Sequence, residues 1–251
     1  MSDTTTEAKA PGLPPVDVNE YGGKRDGERQ AMNRRLFMQL LVFDVAHGTG
    51  DAAARRTLDA ARAARIPAVV YADCMDPRGV GLLTWSEDPA HFVSAVRPLF
   101  EEEPLAGVTL RPGYAMIGRS YSTGHEPDLE FTLLRRPIEN VEHAEYGWHV
   151  WYPLRRSGAF ARLEPIEQSH TLREHAALGM AYGQQELAHD IRLACHGLDA
   201  RDNEFVIGLV GRELHPLSHL VQAMRKTRQT SEFIAQMGPF FVGRVIGRSA
   251  R

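Results

Sequence analysis

The stretch 68–85, AVVYADCMDPRGVGLLTW, decides the fold. Two apolar runs rich in β-branched and aromatic residues, AVVYADC and GVGLLTW, flank DPRG, and an Asp-Pro start with a closing glycine marks a turn. The expectation is a hairpin, with Pro67 opening its first strand. Working outward toward the N-terminus, residues 51–65 (DAAARRTLDAARAAR) are alanine-rich with an acidic start, so they read as a helix with Asp51 as candidate N-cap. Before that helix, residues 34–44 (RRLFMQLLVFD) form an apolar run that suits a buried strand. Toward the C-terminus, Ser86 starts a second helix through S-x-D-P, with Phe92, Val93, Val96 and Leu99 as its apolar face. A fourth strand falls within residues 105–119. The order is β-α-β-β-α-β, a ferredoxin-like unit in which two helices cover one face of an antiparallel sheet.

The second half repeats that order. Residues 146–152 (YGWHVWY) read as a strand, 166–185 as a helix, and 191–196 with 205–210 as a hairpin around GLDARDNE. Residues 214–228 are amphipathic, with Leu217, Leu220, Val221 and Met224 on one side, and FFVGRV (240–245) closes the sheet. The fold class is therefore α+β, with two tandem ferredoxin-like repeats sharing one core. The expected divisions are a flexible N-terminal tail (1–33), a first repeat (34–120), a linker (121–144) and a second repeat (145–246).

Composition narrows the function. In 251 residues, hydrophobic residues at 43% supply a core that needs no disulfide staples, and a formal charge of -3 argues against a nucleic-acid partner. Two cysteines, Cys74 and Cys195, are too few for a disulfide framework and suit a reducing compartment. No apolar run is long enough for a membrane span, and the polar, proline-rich start lacks the pattern of a signal peptide. The expected address is the cytoplasm.

No phosphate-binding loop, nucleophile elbow, paired CxxC or H-E-x-x-H motif occurs, which leaves eleven histidines as the main chemical resource. His175 stands apart. Leu172, His175, Ala176, Gly179 and Tyr182 share a helical face by spacing, and small residues beside a histidine can leave a slot for a flat cofactor. Spacing alone favours a core histidine beside a close helix–sheet contact. In the run 151–156, WYPLRR, strand alternation sends Trp151 and Tyr152 to opposite faces, and Pro153 is expected to end the strand. The cluster RKTR begins at Arg225, at the end of the amphipathic helix. It suits either a solvated face or a clamp for a carboxylate.

Taken in order, WYPLRRSGAF, LREHAALGMAYG, FVIGLVG, QAMRKTRQT and GPFFVGRV resemble the C-terminal half of the chlorite dismutase and coproheme decarboxylase superfamily, across residues 145–245. The ordered set carries the likeness; the N-terminal half resembles the family in element order. The resemblance implies a dimeric α+β barrel type of fold with an iron porphyrin, heme b or coproheme, in the second repeat. It implies that His175, in REH, is the proximal iron ligand, and that Tyr152, in WYP, matches the radical-forming tyrosine of coproheme decarboxylases. Arg156 falls where those enzymes often carry a lysine near a propionate. Arg225 matches a propionate-binding arginine, and Thr230 a hydroxyl that can support it. For the residue above the iron, different anchor points give Ala188, Asp190 or Arg192, and Arg192 is favoured because the ungapped match also places Arg225. The implied function is peroxide-dependent coproheme decarboxylation in heme biosynthesis. The alternatives are chlorite dismutase or peroxidase-like chemistry, or a non-catalytic heme carrier or sensor. The implied partners are the porphyrin, a small oxidant (peroxide or chlorite), and further copies of the chain in a pentameric ring.

Overall fold

Alternating apolar residues place a strand between two cores, and here they do so around a closed ring. The computed structural model describes residue 13 and residues 15–101 and 105–249. A hairpin, β1 (Glu20–Arg25) and β2 (Glu28–Met32), precedes the first repeat. That repeat runs β3 (Phe37–Asp44), α1 (Gly50–Ala63), β4 (Ala68–Asp73) and β5 (Gly79–Ser86). A helical turn, Phe92–Val96, then leads into α2 (Pro98–Glu101), a short β6 (Thr109–Leu110) and β7 (Met116–Ser120). A second wide turn, Phe131–Arg135, leads into α3 (Arg136–Glu142). The second repeat runs β8 (Trp148–Arg156), α4 (Gly158–Ala161), α5 (Pro165–Gln184), β9 (His189–Ala194), β10 (Phe205–Gly211), α6 (Leu214–Met224), α7 (Arg228–Phe233), β11 (Ile234–Met237) and β12 (Phe241–Arg248).

Spatial order in the first repeat is β7-β3-β5-β4, and in the second β12-β8-β10-β9. Counted within each repeat, both are 4-1-3-2, the ferredoxin-like arrangement. β4 pairs with β12, and β9 with β7, all antiparallel, so the two sheets close into an eight-stranded barrel. Closure removes the open edges that each sheet would expose alone.

The barrel interior holds Met38, Leu40, Tyr71, Leu83, Trp151, Leu193 and Phe241 among its buried side chains. Glycines at inward strand positions make room for the rings. A Cβ on Gly208 would lie 2.6 Å from the Trp151 indole, and one on Gly81 would lie 2.5 Å from the Phe241 ring. Outside the first sheet, α1 and the turn Phe92–Val96 bury Ala53, Ala54, Leu58, Phe92 and Val96 against Phe43, Val70 and Leu82. Outside the second sheet, Val150, Tyr152 and Leu154 meet Tyr182, Leu217 and Leu220. Trp151 and Tyr152 thus occupy opposite faces.

Several expectations need correction. Residues 20–32, assigned to the flexible tail, form a docked hairpin. The Gln30 amide donates to the carbonyls of Gly23, Glu126 and Pro127, and Glu20 pairs with Arg35 and Arg119. The first 12 residues lie outside the described residues. The linker contains α3, whose Val141 is buried in the barrel core. Thr49, rather than Asp51, caps α1, its Oγ1 accepting from the Ala52 amide at 3.2 Å. Val93 is exposed, so the turn after Ser86 buries only Phe92 and Val96. Pro153 lies inside β8 instead of ending it. β10 and β11 hold the strand on both sides, and the Pro153 carbonyl accepts from Gly238 N at 2.8 Å.

Candidate functional site

Helix α5 starts with Pro165 at its first turn, where a missing N–H costs nothing, and runs for 20 residues across the outer face of the second sheet. Its inward residues are Thr171, His175, Leu178 and Tyr182, spaced four, three and four apart. Leu172, Ala176 and Ala177 are exposed, so the inward stripe is rotated from the expected one. Gly179 is the small residue that does face α6, where a Cβ would sit 3.6 Å from Met224 Cε.

His175 is half-buried. Its Nδ1 lies 3.5 Å from Thr227 Oγ1, while that hydroxyl donates to the Met224 carbonyl at 2.8 Å. With the hydroxyl proton committed to Met224, Thr227 can serve His175 only as an acceptor. In that tautomer Nδ1 carries the proton, and the Nε2 lone pair is the donor a metal would use. Burial, and secondly the positive charge of Arg192, hold the imidazole below its ordinary pKa of 6.5, which favours the neutral ligand form. The candidate partner behind the ring is thus a hydroxyl. Thr230 lies one step behind it, 3.4 Å from Thr227 Oγ1.

Across from α5, Ala188 precedes β9, and Asp190 and Arg192 are outward positions of the strand. Ala188 is packed against the core with Tyr182 and Leu209. Asp190 Oδ2 pairs with Arg192 Nε at 3.0 Å, and its Oδ1 receives Arg136 from α3. Ile207 of β10 stands level with both Arg192 and Tyr152, so these two side chains flank one row of the sheet. Tyr152 is buried and stacks on Phe240 with ring centroids 4.6 Å apart. Burial pushes its phenol well above the ordinary value, with Asp190 adding to the rise and Arg225 opposing it. The phenolic proton is therefore retained across the neutral range.

The two arginines expected at propionates differ in their surroundings. Arg225 follows the last residue of α6 and makes no ion pair among the described residues. Arg156 is paired with Glu204 at 3.0 Å and lies over the Phe160 and Phe205 rings, 4.5 and 4.8 Å from their centroids. Four residues past Tyr152, it is about 13 Å further along the strand. Sequence reasoning missed Thr227 and Arg136. Thr227 could have been found as the residue before the short RQTSEF helix; Arg136 had no signal, because its helix was taken for linker.

Among the described residues, no three His, Cys, Asp or Glu side chains gather into a metal-holding group. A single neutral imidazole, an aromatic floor and nearby cations match the donor set an iron porphyrin needs. The sequence profile described as chlorite dismutase matches residues 113–246, just over half of the chain. The chain belongs to the chlorite dismutase family. No curated protein matches it. This chlorite dismutase family member also shares its fold with solved structures. TA0507, a provisionally assigned chlorite dismutase, has a TM-score of 0.67 at 14% identity, covering 85% of this chain and 96% of that one. A heme-binding protein from Thermus thermophilus has a TM-score of 0.64 at 15% identity, covering 86% and 92%. Chlorite dismutase from Candidatus Nitrospira defluvii, in complex with imidazole, has a TM-score of 0.65 at 12% identity, covering 84% and 91%. Among the described residues no helix is long and apolar enough to cross a membrane.

Proposed function

We propose that the chain binds an iron porphyrin with His175 as the axial ligand and acts as a heme-dependent oxidoreductase. The observation that carries this is the His175–Thr227–Met224 arrangement, which leaves Nε2 as a donor on the helix facing Tyr152 and Arg192. Similarity to a heme-binding protein of the same fold supports the choice of cofactor. Bound there, the iron supplies the oxidising power that a peroxide or chlorite brings.

The leading chemistry is oxidative decarboxylation of coproheme propionates. Tyr152 keeps its phenolic hydrogen on this face, while Arg225 can hold an anionic propionate. Arg156 serves, if at all, through a guanidinium already shared with Glu204. Arg192 favours a second reading, chlorite decomposition or a peroxidase-like activity, because it presents a cation across from His175. A cytoplasmic location and a homopentameric ring belong to the same proposal; cell fractionation and light scattering test them.

The deciding experiment is anaerobic titration with coproheme, then peroxide, with mass analysis of the porphyrin. Stepwise loss of propionate carboxyls that Tyr152→Phe abolishes is the expected result. Binding with no porphyrin change, but with chlorite consumption or peroxidase turnover, replaces the first reading with the second. Binding without any turnover leaves a carrier.

A further inference from the structure

Helix α6 turns two kinds of residue to different sides. Leu217 and Leu220 are buried in the cluster outside the second sheet, while His215, Ser218 and His219 are exposed. The two histidines stand four apart, so one helical turn brings their rings to the same face. Their ring centroids lie 6.0 Å apart, with the planes inclined at 52°. Pro216 follows His215 in the first turn, where its missing N–H would have had no helical partner, and it stiffens the backbone that sets the spacing. Tyr182 of α5 supports one of the rings from behind. It is buried, and its hydroxyl meets Nδ1 of His219. A histidine that ligates a metal commonly has its other ring nitrogen engaged in this way, which fixes the ring's orientation. Nε2 of His219 makes no hydrogen bond among the described residues and is the nitrogen left for a ligand. Other histidines are committed: His189 pairs with Glu186 at 3.3 Å, and both His143 and His189 stack on Tyr146.

We propose that His215 and His219 form a chelating pair for one divalent first-row transition ion, such as Ni²⁺, Cu²⁺ or Zn²⁺, with Tyr182 orienting His219. Two imidazoles bound to one such ion, each nitrogen about 2.1 Å away, hold their ring centres roughly 5–6 Å apart. The observed separation stands at the upper end of that span, and exposed rings close the difference by side-chain rotation without moving the helix. No third His, Cys, Asp or Glu joins the pair among the described residues, so water completes the coordination and the ion is exchangeable. Imidazole nitrogen suits these ions and discriminates against Mg²⁺ and Ca²⁺, which take oxygen ligands. The pair does not depend on the porphyrin reading. Tyr182 stands about 10 Å along α5 from His175, and the metal would sit on the exposed side of α6.

The test is calorimetric titration of the full, cofactor-free chain with Ni²⁺, and separately with Mg²⁺. His215→Ala and His219→Ala should each weaken Ni²⁺ binding about tenfold or more. The double variant should bind little more weakly than either single one, because a chelate is lost with its first ligand. Tyr182→Phe keeps the ring and should weaken binding by a smaller factor, about threefold. His170→Ala removes an exposed histidine of α5 and should leave the affinity at the parent value. Unchanged Ni²⁺ affinity in either single histidine variant, or Mg²⁺ bound as tightly as Ni²⁺, would overturn the pair. An affinity that Tyr182→Phe leaves untouched would remove the tyrosine from the proposal. None of these readouts uses hemin, so failure of the cofactor reading leaves their outcome unaffected.

Discussion

At the scale of single residues, the hydrogen bond behind His175 decides most. Its acceptor is a hydroxyl whose own proton is engaged, a weaker pull on Nδ1–H than a carboxylate would exert, so the imidazole stays neutral rather than approaching imidazolate. We expect His175→Ala to fold, since it trims a half-buried side chain, and to lose most of its affinity for hemin, with added imidazole restoring part of the Soret absorption. Retention of an unchanged Soret band and affinity would move the ligand elsewhere. A second expectation concerns His149, buried inside the barrel with Nδ1 2.8 Å from the Tyr71 hydroxyl. Burial, then Arg248, push its pKa down to about 3 from 6.5. The sign follows from linkage. Below 6.5 the unfolded chain takes up a proton that the folded chain refuses, so stability falls as the pH drops toward 3, at about 1.4 kcal/mol per unit from this group. His149→Gln should flatten that part of the profile in urea titrations relative to the parent, and an identical slope would exclude the assignment. The sequence singled out His175, Tyr152 and Arg225 as candidates because histidine, phenol and cation are distinctive residue types in an ordered pattern. Thr227 was not legible, since a threonine gains its meaning only from what lies 3.5 Å away.

At the scale of elements, apolar runs bounded by turn signals made the strands legible, and the turns DPRG and GLDARDNE located both hairpins. What escaped was the meaning of glycine inside strands. Gly81 and Gly208 are places where an aromatic ring crosses the barrel against bare backbone. Gly208→Ala should therefore cost about 1–3 kcal/mol through overpacking against Trp151, read as a lower urea midpoint with unchanged slope. A change below the error of the measurement would mean the indole can yield. The helices were harder. On α5 the expected stripe was rotated, because its small residues suit solvent as well as a close contact. The hairpin at 20–32 was hidden by polar side chains. Its anchors are Gln30 and Glu20, which make their bonds to loop and strand positions about a hundred residues away. Deleting residues 1–33 should therefore lower stability measurably, whereas an unchanged melting temperature would show the hairpin to be passive cover.

At the scale of the whole molecule, the residues made the two repeats legible, while their closure into a barrel came only with the family resemblance, because pairing between edges of distant segments leaves no periodic trace in either one. The ring's two joints are unequal. β4 and β12 share five cross-strand pairs; β7 and β9 share two, Arg119 with Ala194 and Ser120 with Leu193. The barrel thus has a strong seam and a weak one, and a ring under thermal stress unzips where it is stitched least. Amide exchange should be faster in β7 and on the facing side of β9 than at the β4–β12 joint, and equal protection at both would contradict this. The weak seam runs beside the strand that carries Asp190 and Arg192. Helix α3 reaches over β9 there, through Arg136 and Asn140. What looked in the sequence like a tether between two halves is, in the folded molecule, the clasp across its least secure closure.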